Sequence, residues 1–568
     1  MRYHVLGVGS IGSLIAFHLK RSVKLQRQLL QPRPSFSKSK RELLLSNLSN
    51  KRPPQNQGTI VSSLSLPPYV QTELPDPQQT SVTLHLRRKA FGKQAKQRFV
   101  NSIVVEQDGV RDIEGGFQTD FNSSPTDVIA SIVRRNWSNQ PEGEEEESED
   151  RFLISRTTTS SSPEAAAIRD QTSSKTPLPD HDGGISLIST LEGLHSQPRA
   201  SPIDSLIITT KCDATLSALE GIRDRIHPWS TIVLLQNGMG VLDTLFDTFF
   251  KDPDQRPNFV LASTTHGCWR KGPLDVVHAS TGTLHFGIVP SGRAGQDGIE
   301  KSRVPYGQTI ARVRGVVLPS RGEAAKKAAR GWERFSPDTD SNAIEEIPDL
   351  GSPSKLLSIA SIPDKPSLRT LRATVAALLS LPLNVEWEPI REFQLRSLRK
   401  LVINACINPL TALADCKNGD LFGNPVAKDA MWSVCLEAGM VLEAQVREHL
   451  ASGATASPRQ RASASLSAED LILRSDETGE PILHPSLTPQ ALFQEVQRVA
   501  RMTAANWSSM HSDLKNRRGS TEIDHINGYI SALGRGYNID TTANDLLTNL
   551  VKLKTTRVTG TGRLRREQ

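Results

Sequence analysis

Residues 400 to 410 read KLVINACINPL, an apolar run whose polar members are Lys400, Asn404 and Asn408. At about 3.6 residues per turn, positions i, i+4 and i+8 fall on one face of a helix, so one cation and two neutral amides share a stripe. Leu401, Val402, Ile403, Ala405, Cys406 and Ile407 leave little of the circumference suited to water, so the stripe is expected to be buried or to line a cleft. Pro409 disfavours helical geometry for the residue before it, which predicts a helix end near Asn408. A buried ammonium costs several kcal/mol unless it is paired. Lys400 therefore either meets a partner or snorkels to the surface, its stem covering apolar neighbours.

A second constellation opens the chain. In MRYHVLGVGSIGSLIAFHLK an apolar strand runs into Gly7, Gly9, Ser10, Ile11 and Gly12, and a helix follows. This G-x-G-x-x-G permits a tight turn, close approach of backbone to a pyrophosphate, and close helix–strand packing, with the phosphates on the helix N-terminus. An NAD site would place an acidic residue about 20 residues later, at the end of the second strand, and none stands there. With residues 21–80 set aside as an insertion, the second strand becomes SVTLHL and ends in Arg87, Arg88 and Lys89. Guanidinium groups there suit a 2′-phosphate, favouring NADP; the alternative is a basic loop in a basic protein.

These groups need elements to hold them. After the first helix, residues 21–80 are rich in Ser, Pro, Gln and basic residues and read as a disordered insertion. SVTLHL and NSIVVEQDG read as strands, and residues 122–200, with the acidic run EGEEEESEDR, form a second insertion. SPIDSLIITTKC, TIVLLQNGMG, NFVLASTTHG, LDVVHAS and GTLHFG complete a β-rich half over residues 1–288, and 289–365 read as linker. From Ser367 the pattern is almost wholly helical, giving an all-α half over 366–558 interrupted by a polar insertion at 452–485. The expected fold class is thus an α/β Rossmann-type domain followed by an all-α domain, with long disordered insertions.

Composition narrows the function. Lys+Arg number 68 against 61 Asp+Glu, a net charge of +7 dispersed along 568 residues, so nucleic-acid binding is not expected. Five cysteines without a CxxC pair favour reduced thiols over a disulfide framework or a zinc site, so no metal is expected. No apolar run is long enough to span a membrane, and the first strand begins at Tyr3 without room for a presequence, which points to the cytoplasm. His266 and His278 read as hydrogen-bonded structural residues, Trp269 and Trp507 as packing residues, and Cys406 as a small buried hydrophobe.

Five stretches together resemble the ketopantoate reductase (2-dehydropantoate 2-reductase) family in its own order: VLGVGSIG; LLQNGMG; STTHG followed by VVHAS; KLVINACINPLTAL with NGDL; and SSMHSDL leading to TEIDHINGYI. The resemblance covers somewhat over half of the chain and implies reduction of 2-dehydropantoate to pantoate by NADPH, on the way to pantothenate and coenzyme A. It implies Lys400 as general acid, Asn404, Asn408 and Ser509 as substrate contacts, and Glu522 as the second catalytic acid. Lys211 and Asn237 match positions that hold the cofactor and its neighbourhood. Between Ser509 and Glu522 this chain is one residue longer than the family pattern, and its insertions are larger, though all lie outside the motifs. In this chemistry the Lys400 ammonium polarises a carbonyl and donates to the developing alkoxide, the amides hold substrate without adding charge, and Glu522 accepts from a substrate hydroxyl while offsetting the lysine. The implied partner is a small-molecule 2-oxo acid, and a homo-oligomer is compatible. Two rivals remain: a reductase of another 2-oxo acid, and a non-catalytic reductase-like binding protein, whose mark would be loss of Lys400, Asn404, Glu522 or the glycine turn. Retained intron sequence would also account for the insertions.

Overall fold

The structure is a computed structural model that describes residues 1–30, 73–86, 102–121, 201–291, 293, 358–452, 472–474 and 481–559. All of these except residues 201 and 202 belong to one unit, Met1–Asn122 with Ile203–Gln568. Strand β1 (Arg2–Leu6) alternates too little to be an edge: Tyr3, Val5 and Leu6 are all buried, as expected of a strand covered on both faces. Parallel to it lie β2 (Ser81–Leu86) on one side and β6 (Ser205–Ile208) on the other. The second strand reached by setting aside the insertion is therefore the neighbour of the first.

The sheet continues through β7 (Thr231–Leu235) and β8 (Asn258–Thr264), both parallel, then β11 (Leu284–Ile288), antiparallel, and β12 (Val385–Trp387); β5 (Gln118–Phe121) lies beyond β2. The chain leaves β1 toward β2 and returns on the opposite side at β6. Such a switch point opens a crevice at the carboxyl ends of the strands, where ligands of open α/β sheets bind. NSIVVEQDG enters a separate four-stranded sheet: β3 (Ser102–Gln107) pairs with β4 (Val110–Gly115) and with β10 (Asp275–Ser280), which pairs with β9 (Gly267–Gly272).

Helix α1 (Ser10–Leu30) is longer than expected. It enters the range assigned to the first insertion because Val23 stays buried and Arg27 donates to Pro77 O (2.6 Å) and Thr80 O (2.7 Å), tying its last turns to the return of the chain. On the far side of β6 and β7 lie α2 (Cys212–Glu220) and α3 (Val241–Thr248), which bury Leu219, Leu242 and Leu245.

The boundary at 366 is also corrected. Ile359 and Ile362, placed in the linker, are buried in the sheet's core together with Leu371, Val375 and Leu378 of α4 (Arg369–Leu379). With β12 also in the sheet, the helical half starts at α5 (Ile390–Ala414). It continues with α6 (Asn418–Phe422), α7 (Pro425–Ser452), α8 (Pro489–Met502), α9 (Ser509–Lys515), α10 (Asn527–Gly536) and α11 (Thr542–Thr559). A second apolar core, with Leu401, Ala405, Val434, Ala438, Val496 and Val551, joins these helices. Within the range read as an insertion at 452–485, β13 (Ile472–Arg474) pairs antiparallel with β14 (Pro481–Leu483), and Leu483 and His484 are buried. Helix α5 does not end near Asn408 either, but passes through Pro409 to Ala414.

Candidate active site

The glycine turn closes tightly on the loop after β6. Gly7 has φ +95°, open to glycine at little cost, and a Cβ there would run into the backbone of Thr210. Thr209 N donates to Leu6 O at 2.8 Å, locking the ends of β1 and β6 together at the switch point. In front of Gly9 the space is open: a Cβ would find nothing nearer than Gly7 O at 4.0 Å. Ser10 and Ile11 begin α1, whose first-turn N–H groups have no helical acceptor. Arg87 and Arg88, with Lys89, lie outside the described residues.

Asn237 follows β7 in a turn tied to both halves of the molecule. The Cys212 thiol donates to Asn237 O at 2.7 Å, and burial pushes that thiol's pKa up, so it stays protonated. Two residues on, Met239 N donates to His525 O at 3.0 Å. Gln236 turns its amide back to donate to Thr210 O at 2.8 Å. A cleft opens here, lined by Asn237, Ser263, Ser397, Lys400 and Asn404 together with apolar residues such as Leu261.

Lys400 points into this cleft from α5. Its Nζ donates to Ser263 Oγ and to Thr264 O, each at 2.9 Å, both at the end of β8. Neither partner carries charge. Burial accordingly lowers the lysine's pKa to about 8, against a smaller opposing pull from Glu522. The residue keeps some exposed surface, but the ammonium is enclosed by sheet and helix. It thus neither snorkels nor pairs directly with Glu522, and its immediate partners are a hydroxyl and a carbonyl.

Glu522 sits at the start of a 3-10 turn (Ile523–His525) and is half-buried. Burial raises its pKa to about 7; Lys211 and Lys400 pull it down, while Asp513 and Asp213 push it up. Two groups with pKa values near 7 and 8 that feel each other are the pattern expected of an acid–base site. Lys211, at the start of α2, makes an ion pair with the buried Asp513 of α9, whose other oxygen takes Arg518 Nη1 at 3.0 Å. This pair reaches from the nucleotide half to the helical half.

The structure thus brings Asn237, Lys400 and Asn404 into one cleft, buries Asn408 one turn further on, and keeps Glu522 and Lys211 within electrostatic range. Ser509 is different: it is exposed as the first residue of α9, whereas Ser508 is buried, caps the helix by accepting from His511 N (3.1 Å), and accepts from Thr411 Oγ1 (2.7 Å). His266 and His278 hydrogen-bond to each other at 2.9 Å, and His266 Nε2 donates to Leu383 O at 3.0 Å. Cys406 is fully buried; Trp269 and Trp507 are about half exposed, and Trp507 packs by stacking on His511 with ring centroids 4.2 Å apart. Sequence reasoning missed Ser263, Ser397 and Asp513; Ser263 opens the STTHG stretch and Asp513 lies inside SSMHSDL, so both had a motif to signal them, whereas Ser397 lies in none of the five stretches.

Residues 162–291 match the family model described as Ketopantoate reductase PanE/ApbA, and residues 392–555 the one described as Ketopantoate reductase PanE/ApbA C terminal. The "Probable 2-dehydropantoate 2-reductase" of Schizosaccharomyces pombe is 25% identical over 358 residues, 63% of this chain and 75% of that protein. The 2-dehydropantoate 2-reductase of Saccharomyces cerevisiae is 23% identical over 342 residues, 60% of this chain and 69% of its own. Among solved structures, a PanE/ApbA family ketopantoate reductase from Ralstonia eutropha is 13% identical, with a TM-score of 0.45 over 98% of this chain and 99% of that one.

Proposed function

The chain belongs to the ketopantoate reductase family, and from that premise we propose that it reduces 2-dehydropantoate to pantoate with NADPH, in the formation of pantothenate and coenzyme A. The observation that carries this reading is the Lys400 ammonium, held by two neutral partners in a cleft it shares with Asn237 and Asn404. Its charge is left available for a carbonyl oxygen.

The glycine turn fits a dinucleotide: Gly7 allows the tight closure on Thr210, and the open space before Gly9 faces the first turn of α1. When bound there, the reduced nicotinamide supplies a hydride. The rest falls to the chain's own residues. Lys400 polarises the substrate carbonyl and gives its proton to the oxygen as negative charge develops. Ser263 and Thr264 O aim that ammonium, and as neutral acceptors they leave its charge undiminished. Asn404 and Asn408 orient the 2-oxo acid, Glu522 accepts from its hydroxyl, and Asn237 holds the cofactor's neighbourhood. Arg87 and Arg88, directly after β2, are assigned to the 2′-phosphate. The apolar residues that line the cleft keep a second reading in play, a reductase of a 2-oxo acid with a different apolar substituent. Parallel assays with 2-dehydropantoate and with branched and aryl 2-oxo acids, each with NADPH and NADH, test both readings: the highest kcat/KM on 2-dehydropantoate with NADPH supports the proposal, and a preference for another acid overturns its substrate.

A further inference from the structure

Helix α5 carries Lys400, Asn404 and Asn408, yet has a proline in its last third. Pro409 has no N–H, so the carbonyl of Ala405, four residues earlier, loses its helical donor, and a buried carbonyl without a donor is costly. In this molecule Asn527 supplies it: Asn527 Nδ2 donates to Ala405 O at 3.0 Å. The other hydrogen of the same amide goes to Asn544 Oδ1, also at 3.0 Å. Asn544 Nδ2 donates to Glu437 Oε2 at 2.7 Å, and the Glu437 carboxylate takes the backbone N–H groups of Ala543 (2.7 Å) and Asn544 (3.0 Å) at the start of α11. Asn527 and Asn544 are completely buried. The chain of bonds thus runs from α7 through the start of α11 to the middle of α5.

Asn527 has a second attachment. It is the first residue of α10, immediately after the turn that begins with Glu522. One side chain therefore fastens the segment bearing Glu522 to the residue that follows Asn404. We propose that Asn527, backed by Asn544 and Glu437, is a positioning residue: it replaces the hydrogen bond Pro409 removes and thereby sets the placement of Glu522 against the Lys400–Asn404–Asn408 stripe. It touches no reacting atom. The proline is the device that makes this possible, because it frees a carbonyl in mid-helix to receive a bond from the neighbouring catalytic segment. A helix with alanine at 409 would satisfy Ala405 internally and would have no need of Asn527 at that point.

The inference rests on the proposed reductase activity, and the experiment separates the two. Asn527→Ala, Pro409→Ala and the double variant are compared with wild type for kcat and KM on 2-dehydropantoate across pH, for NADPH affinity, and for thermal stability. Asn527→Ala is expected to lower kcat/KM about tenfold to a hundredfold, the cost of a small misplacement of reacting groups, to displace the pH limb belonging to Glu522, and to leave NADPH affinity unchanged. Pro409→Ala restores an N–H for Ala405, so the double variant is expected to recover to within about threefold of Pro409→Ala alone, a non-additivity that contacting residues show and independent ones do not. An Asn527→Ala that loses thermal stability but keeps the wild-type kcat and pH profile overturns the positioning role. A double variant no better than the sum of its parts overturns the link to Pro409. Should Asn527→Ala fail to fold, the double variant must still fold, and insolubility of both overturns the proposal. Wild type inactive on every 2-oxo acid contradicts the functional reading instead, and the brace is then decided by the stability cycle: coupling between positions 527 and 409 supports it, and additivity overturns it.

Discussion

The proton on Lys400 is poised close to neutrality because its nearest partners, Ser263 Oγ and Thr264 O, are uncharged. Burial brings the lysine to about 8 and lifts Glu522 to about 7. For a reaction that needs the first protonated and the second ionised, kcat/KM is expected to fall below pH about 7 and above about 8; a profile flat from about pH 6 to about pH 9 would contradict the assignment of both groups. The same shift has a consequence for stability. The folded pKa of Lys400 lies below the ordinary 10.5, so the cost of burying its charge is full below about 8 and fades as pH rises toward 10.5. Relative to Lys400→Met, wild type is expected to gain stability across that window, measured by thermal unfolding at a series of pH values. An unchanged difference would mean that the ammonium is not desolvated.

At the level of elements, the switch point places the glycine turn and the ends of β6, β7 and β8 along one edge, and α5 brings the lysine to that edge. The end of β2 belongs to the same edge, so Arg87→Ala with Arg88→Ala is expected to raise KM for NADPH about tenfold or more and leave that for NADH little changed. An equal effect on both cofactors would move the 2′-phosphate elsewhere. The strand–glycine–helix opening and SVTLHL as second strand were legible because strand burial and turn chemistry are written locally. Other features were not. The periodicity of α4 is that of any amphipathic helix and does not say which core it joins, so it was grouped with the helical half although it packs on the sheet. Helix α5 outlasts Pro409 with Asn527 as the compensating donor, and that donor is too distant in sequence to be read from the local pattern. The lysine's partner Thr264 is a backbone carbonyl, which any residue type could provide.

Across the whole molecule, the two halves meet where the site is. Lys211 of the nucleotide half pairs with Asp513 of the helical half, and Met239 N bonds His525 O three residues after Glu522. Lys211 is also the foremost charge holding the pKa of Glu522 down. Lys211→Met is therefore expected to move the acid limb of the pH profile upward while weakening cofactor affinity, and an unmoved limb would separate Lys211 from Glu522. Among the described residues no helix is long and apolar enough to cross a membrane. The most direct test of the account is a paired measurement on purified wild type and Lys400→Ala: 2-dehydropantoate-dependent oxidation of NADPH, with NADPH binding followed separately. Turnover by wild type is expected, with a fall in kcat of about 10²- to 10⁴-fold in the variant and equal NADPH affinity in both. Undiminished turnover by Lys400→Ala would contradict that expectation.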